Sequence, residues 1–223
     1  MAKMGKDHGS EYHLRRYLTE ARAQLSEAVQ LSIQHVGAVM WITPEGDKEW
    51  KGMRFLSDDP LVAEKWKKFW PQRGNPPNWD AIARLDTGDR PEWLLLEAKA
   101  NHPEFCSPPS GALGSSKDTI RKALGRTKHY LGVHRDFPWL GTYYQHANRL
   151  ACLYFLNIIA DVPARLIFVY FMGDRFPDSR RCPQTEAEWH KLIESCHSTL
   201  GLPQKHNLSD RIHEVFLPVL GTI

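Results

Sequence analysis

The spacing of apolar residues along the chain predicts alternating helices and strands. One apolar face recurs every three or four residues between Leu14 and Ala28, which predicts an amphipathic helix over residues 11–33. Further helices are predicted over residues 61–70, 115–131, 143–159, 186–200 and 209–220. Strands are predicted over residues 37–43, 50–56 and 164–172, and in two runs that flank residues 86–91. This order predicts one α/β domain over residues 1–223, with a mixed central sheet flanked by helices.

Two of these apolar runs predict a β-hairpin, because the segment between them is dense in turn-forming residues. If the turn joins the strands symmetrically, Leu85 faces Glu92, and by the same count Asp80 faces Glu97. Alternation along the second strand puts Lys99 on the same face as Glu97. Two opposed carboxylates repel each other unless a cation lies between them. The pattern therefore predicts a site for a hard divalent ion such as Mg²⁺.

Asp80, followed on the next strand by Glu97-Ala98-Lys99, resembles the active site of the PD-(D/E)XK nuclease superfamily, which has the restriction-endonuclease-like fold. The resemblance implies Mg²⁺-dependent cleavage of phosphodiester bonds, with Mn²⁺ as an alternative ion. It implies that Asp80 and Glu97 hold the metal and that Lys99 orients or activates the attacking water. The residue before Asp80 is Trp79, where the family's pattern has proline. The family core of helix, three strands, helix and strand would cover about residues 11–173, with extra C-terminal helices over 174–223.

The same residues admit a plainer interpretation, in which Asp80 caps a turn and Glu97 forms an ion pair with Lys99 on a solvated strand face. Trp93 and Leu95 share that face, which favours the metal site, because a solvated face is usually polar. The function expected from the resemblance is a metal-dependent nuclease acting on nucleic acid, with DNA favoured. The alternative is a non-catalytic nucleic-acid-binding or interaction module on the same fold.

A basic segment follows the predicted hairpin. Between Ser115 and Arg135 the chain has six Lys and Arg residues and one acid, Asp118, which predicts salt-sensitive contacts with phosphates. A solvated helix face is the alternative. Polar residues at the start of the next helix are candidates for lining a substrate cleft, or for capping that helix and binding neighbouring loops. The candidate nucleic-acid-binding residues are Lys117, Arg121, Lys122, Lys128, Gln145, Asn148 and Arg149.

Composition agrees with this interpretation but decides little. The net charge of +3 permits nucleic acid as a partner without requiring it. The longest apolar stretch, residues 151–172, is broken by Asp161, Pro163 and Arg165, so no membrane span is expected. The four cysteines show no CxxC spacing and the N-terminus lacks an apolar leader, which favours a cytoplasmic protein. A homodimer is compatible with the sequence.

Two further metal-binding arrangements were considered. Glu20 and Glu27 flank the apolar face of the first helix, and related nucleases often take an additional acid from this helix; nothing in the sequence chooses between the two. A second group has residue types suited to zinc but lacks a usual zinc-finger spacing, so we do not expect zinc there. It comprises Cys182, His190, Cys196 and His197.

Overall fold

Strands and helices alternate along the chain, which a computed structural model describes over residues 7–42, 50–74, 76–88, 90–176 and 181–221. The strands are β1 (Val39–Ile42), β2 (Trp50–Lys51), β3 (Asn78–Trp79), β4 (Ala81–Leu85), β5 (Glu92–Lys99), β6 (Ala164–Met172) and β7 (Ile212–Pro218). The α-helices are α1 (Ser10–Glu20), α2 (Arg22–Ile33), α3 (Pro60–Phe69), α4 (His102–Phe105), α5 (Gly114–Tyr130), α6 (Tyr144–Tyr154) and α7 (Glu186–Leu200). A π-helical turn, Phe155–Ala160, continues α6.

Five strands form a mixed sheet in the order β1-β4-β5-β6-β7. β4 is antiparallel to both β1 and β5, whereas β6 is parallel to both β5 and β7. β2 and β3 form a separate antiparallel pair. The predicted α/β class, with a mixed central sheet and flanking helices, is confirmed.

Helices cover both faces of the central sheet. On β5, Leu94, Leu96 and Ala98 pack against α1 and α2, while Leu95 faces the core built from α3, α5, α6 and α7. Because both faces are buried, the strands are almost continuously apolar, and a charged residue such as Glu97 stands out. Among the described residues, no helix has both the length and the apolar character needed to cross a membrane.

The predicted register of the hairpin is confirmed. Ala81 pairs with Leu96 and Leu85 pairs with Glu92 across β4 and β5. The register matters because side chains alternate with a period of two, so a slip of one residue would turn every side chain of β4 to the other face. The strand predicted over residues 164–172 is confirmed as β6.

The helix predicted over residues 209–220 is wrong. A short 3₁₀ turn, Ser209–Arg211, leads into β7, which pairs in parallel with β6. Val215 and Leu217 are buried, two residues apart, in the core beneath α1 and α2, which is strand periodicity. The C-terminal region therefore contributes α7 and then an edge strand of the central sheet, so the sheet extends beyond residue 173.

Smaller corrections concern boundaries. The first predicted helix divides at Ala21, whose non-helical backbone separates α1 from α2. The strand predicted over residues 50–56 ends at Lys51, because Gly52 has a left-handed φ of 56° and a 3₁₀ turn follows. The helix predicted over residues 115–131 begins at Gly114, without a side-chain cap. The last residue of the strand predicted over residues 37–43 lies outside the described residues.

Candidate metal and catalytic site

Asp80 lies at the junction between the small β2–β3 pair and the central sheet. Its backbone N–H donates to the Leu96 carbonyl at 3.1 Å, but Leu96 is already the ladder partner of Ala81, so the β4–β5 pairing ends at Ala81–Leu96 and does not continue to Asp80. Its carboxylate oxygen Oδ2 accepts a hydrogen bond of 2.7 Å from the backbone N–H of Ala98. The Asp80 carboxylate is therefore held at the end of β5 that bears Glu97 and Lys99 and interacts electrostatically with both, although the predicted Asp80–Glu97 strand pair is not part of the ladder.

Glu97 and Lys99 share one face of β5. The Lys99 Nζ lies 2.7 Å from Glu97 Oε1, a charge-assisted contact between residues two positions apart on the strand. Glu97 is only 3% exposed, so its charge has to be neutralised by neighbouring groups rather than by water. Lys99 also donates to the side-chain oxygen of Gln145 on α6 at 3.0 Å. The structure thus brings together Asp80, Glu97 and Lys99.

Arg149 on α6 is a fourth charged residue of this site. Its Nε and Nη2 atoms lie 2.7 Å and 2.6 Å from Glu97 Oε2. Its Nη1 donates to Asn148 Oδ1 at 2.7 Å, and its guanidinium lies 4.9 Å from the ring centroid of Trp79. Arg149 is 4% exposed. The two carboxylates and two cations therefore form a compact, largely buried charge cluster.

The carboxyl groups of this cluster differ in their pKa. Burial and the nearby Glu97 carboxylate raise the pKa of Asp80 to about 7, against the opposing influence of Lys99, the Ala98 amide and Arg149. Burial also acts to raise the pKa of Glu97, but Arg149 and Lys99 outweigh it, so that the net pKa is lowered. Glu97 is consequently ionised near neutral pH, whereas Asp80 titrates there.

A small cavity of about 10 Å³ adjoins Glu97 and Lys99. Gln145, His146 and Phe168 line it as well, and the His146 ring stacks on Phe168 with 4.5 Å between ring centroids. His146 is 7% exposed, and its Nε2 has no hydrogen-bond partner among the described residues. Burial lowers the pKa of His146 well below its usual value, so the ring is neutral. The cavity has about the volume that one water molecule requires.

Asp80 and Glu97 fit the metal that the resemblance implies. Mg²⁺ is commonly bound by one or two carboxylates, with water and substrate phosphate completing its octahedral shell. Over the described ranges, no three His, Cys, Asp or Glu side chains are grouped so as to hold a metal, so water and substrate would supply the other ligands. Burial and Glu97 raise the pKa of Asp80 even though Lys99 and Arg149 act to lower it, so this carboxylate is not fully compensated by the cations present. The Glu97 oxygens are occupied by Lys99 and Arg149, which a metal would have to rearrange.

The first helix contributes no acid to this site. Glu20 is bound by Arg16 at 2.7 Å, and Glu27 is exposed on α2. Both helices pack on the face of the sheet opposite Glu97. Cys196 and His197 belong to no group of three or more metal-binding side chains among the described residues.

The basic residues predicted to bind nucleic acid have different surroundings. Lys122 is exposed and Lys117 is partly buried on α5, whereas Arg121 forms an exposed pair with Asp118. Lys128 donates to the Phe137 carbonyl at 2.5 Å, so its ammonium is already bound within the protein. Arg121 and Lys128 also line a groove of about 550 Å³ between α5 and residues 133–140.

Gln145, Asn148 and Arg149 do lie at the site, but they bind Lys99, Glu97 and one another. From the sequence they were candidates either for lining a substrate cleft or for capping the helix and binding neighbouring loops, and their contacts with the charge cluster were not predicted. The spacing of Gln145 and Arg149, four residues apart on one helix face, was the available signal. His146 was missed entirely.

Comparison of the chain with protein-family models, curated proteins and solved structures gives no match.

Proposed function

We propose that the protein is a metal-dependent nuclease that hydrolyses phosphodiester bonds in nucleic acid, with DNA favoured and Mg²⁺ or Mn²⁺ as cofactor. One observation carries the proposal: the Asp80 carboxylate is held by the Ala98 N–H within the electrostatic reach of Glu97 and Lys99, in one largely buried charge cluster. A pair of neighbouring acids beside a lysine is a costly arrangement inside a protein, which favours a functional role over a structural one.

The chain order of the central sheet supports a restriction-endonuclease-like core. α1 and α2 precede three antiparallel strands, β1, β4 and β5. α5 and α6 then cross to β6, which lies parallel beside β5. This is the expected order of helix, three strands, helix and strand. β7 adds a further parallel strand at the edge.

Each site residue would have a separate role in hydrolysis. Asp80 and Glu97 would hold the metal, which when bound polarises the phosphate and lowers the pKa of a coordinated water. Lys99, fixed by Glu97 and Gln145, would stabilise the negative charge that develops on the phosphate or position the nucleophile. The cavity beside Lys99 has room for one water, with His146 as an additional polar neighbour.

A second candidate function has its own support. Both oxygens of Glu97 are already neutralised by Lys99 and Arg149, as expected for a structural ion cluster. A non-catalytic nucleic-acid-binding module on the same fold would retain such a cluster for stability. The two candidates differ in whether loss of Glu97 removes a chemical activity or only weakens the fold.

Cleavage assays on single-stranded and double-stranded DNA and RNA, with and without Mg²⁺, test the proposal. Glu97→Ala should abolish metal-dependent cleavage, whereas Lys99→Ala should retain metal binding, measured by calorimetry, and lose the chemical step. Lys122→Ala, which changes an exposed charge outside the site, is the control for charge loss. Full cleavage by either site variant, or no cleavage of any substrate by the wild-type protein, would favour the binding module.

A further inference from the structure

Arg149 supplies positive charge to Glu97, one of the two proposed metal ligands. Two of its nitrogens contact the single oxygen Oε2 of Glu97, while Lys99 holds the other oxygen. A buried carboxylate requires such compensation, so Arg149 satisfies Glu97 when no metal is bound. This inference rests on the proposed function, because it concerns what happens to Arg149 when a divalent ion binds.

Charge balance shows why Arg149 and a metal compete. With both acids ionised, Asp80 and Glu97 carry two negative charges and Lys99 and Arg149 carry two positive charges, so the cluster is neutral. A divalent ion added at this place would leave a net charge of about +2 in a poorly solvated site, which is strongly unfavourable at short range. The repulsion is relieved if Arg149 moves away from Glu97 and meets an anion.

The remaining contacts of Arg149 allow such a movement. Its Nη1 is bound to Asn148 Oδ1, and its guanidinium lies beside the Trp79 ring. Both contacts are made by the guanidinium group and neither involves Glu97, so they can hold the group beside Asn148 and Trp79 after Nε and Nη2 leave the carboxylate. A planar guanidinium suits a phosphodiester, because it can donate two parallel hydrogen bonds to phosphate oxygens.

We infer that Arg149 is a built-in counter-cation that neutralises Glu97 until a divalent ion displaces it, and that the displaced guanidinium then binds a phosphate of the nucleic acid. Arg149 is in this sense a positioning residue that makes metal binding depend on the presence of substrate. In the absence of nucleic acid, it should weaken the binding of Mg²⁺.

Titration calorimetry with Mg²⁺ alone tests the inference. Arg149→Met removes the charge but keeps an unbranched apolar chain, and it should bind Mg²⁺ about tenfold more tightly than the wild type, or more. Arg149→Lys keeps the charge and should bind Mg²⁺ with an affinity close to that of the wild type. Glu97→Gln should bind Mg²⁺ least. Equal affinity of wild type and Arg149→Met, with binding lost in Glu97→Gln, would overturn the inference and leave the proposed function intact.

Because Arg149→Met leaves Glu97 with one cationic partner, a measurement on the wild-type protein is also needed. The side-chain Nε–H signal of Arg149 can be followed by ¹⁵N NMR and assigned by its loss in Arg149→Lys. Saturating Mg²⁺ should shift this signal as the contact with Glu97 breaks. An unchanged signal at saturation would overturn the inference. Absence of Mg²⁺ binding that depends on Glu97 in every variant would remove both the inference and the proposed function.

Discussion

Asp80 should destabilise the metal-free protein near neutral pH, and Asp80→Asn should relieve that cost. The pKa of Asp80 is raised from 3.8 to about 7 by burial and by Glu97, so the folded state binds a proton more tightly than the unfolded state. The free-energy cost of ionising this carboxyl in the folded protein appears once the pH exceeds the pKa of the unfolded chain. It grows until the pH reaches the folded-state pKa, and above that pH it stays constant. Asparagine keeps an oxygen that can accept the Ala98 N–H bond but carries no charge.

The size of the effect follows from the pKa shift. One pKa unit corresponds to about 1.4 kcal/mol, so a rise from about pH 5 to about pH 8 should increase the stability of Asp80→Asn relative to wild type by about 3 kcal/mol. Histidines whose pKa is lowered on folding, including His146 and His197, are present in both proteins, so their contributions cancel in the difference. Mg²⁺ at the higher pH should reduce the difference, since it stabilises only the ionised carboxylate.

Urea unfolding of both proteins at several pH values is the assay, with free energies extrapolated from transitions of equal slope. Asp118→Asn, at an exposed acid on α5, provides the matched control and should show no comparable pH dependence. A difference between Asp80→Asn and wild type that stays constant from about pH 5 to about pH 8, within about 0.5 kcal/mol, would refute the reasoning.

Three further predictions concern charged residues outside the site. Replacing both Arg121 and Lys122 with alanine should reduce the slope of log binding constant against log salt concentration by up to about 1.8 for duplex DNA, since each phosphate contact contributes about 0.9. Fluorescence anisotropy measures this slope, and an unchanged slope would show that α5 is a solvated face. Lys128→Ala should instead lower the free energy of unfolding by about 1 kcal/mol, because its ammonium binds the Phe137 carbonyl. Glu92→Gln should cost about 1–3 kcal/mol in urea unfolding, because two guanidinium groups lose a shared carboxylate.

The candidate hairpin could be predicted because its geometry depends on local rules. Alternation along β5 places Glu97 and Lys99 on one face, and the number of turn residues fixes which residue of β4 lies opposite. The ladder from Ala81–Leu96 to Leu85–Glu92 could therefore be predicted from residue numbers alone, whereas the expected Asp80–Glu97 pair is not part of it. The strand β6 could be predicted equally well, because its run of β-forming residues is bounded by turn-forming residues.

The remaining features depend on tertiary contacts that periodicity does not encode. Arg149 reaches Glu97 only because α6 packs across β5, and the sequence does not show which helix covers that strand. Lys128 belongs to a basic segment, yet the segment's composition does not show that its ammonium already binds the backbone. β7 was predicted as a helix because a short apolar segment is compatible with both the helical and the strand period. It forms a strand because it pairs with the edge of β6.

Anomalous diffraction from crystals grown with Mn²⁺ is the most direct test of the account. Because the Asp80 carboxylate is held by the Ala98 N–H and interacts electrostatically with the Glu97 carboxylate, we expect one ion within about 2–2.5 Å of oxygens from both Asp80 and Glu97. Loss of that ion in Glu97→Gln crystals would support the assignment. An ion bound elsewhere, or no ion at these carboxylates in a protein that cleaves nucleic acid with Mn²⁺, would contradict it.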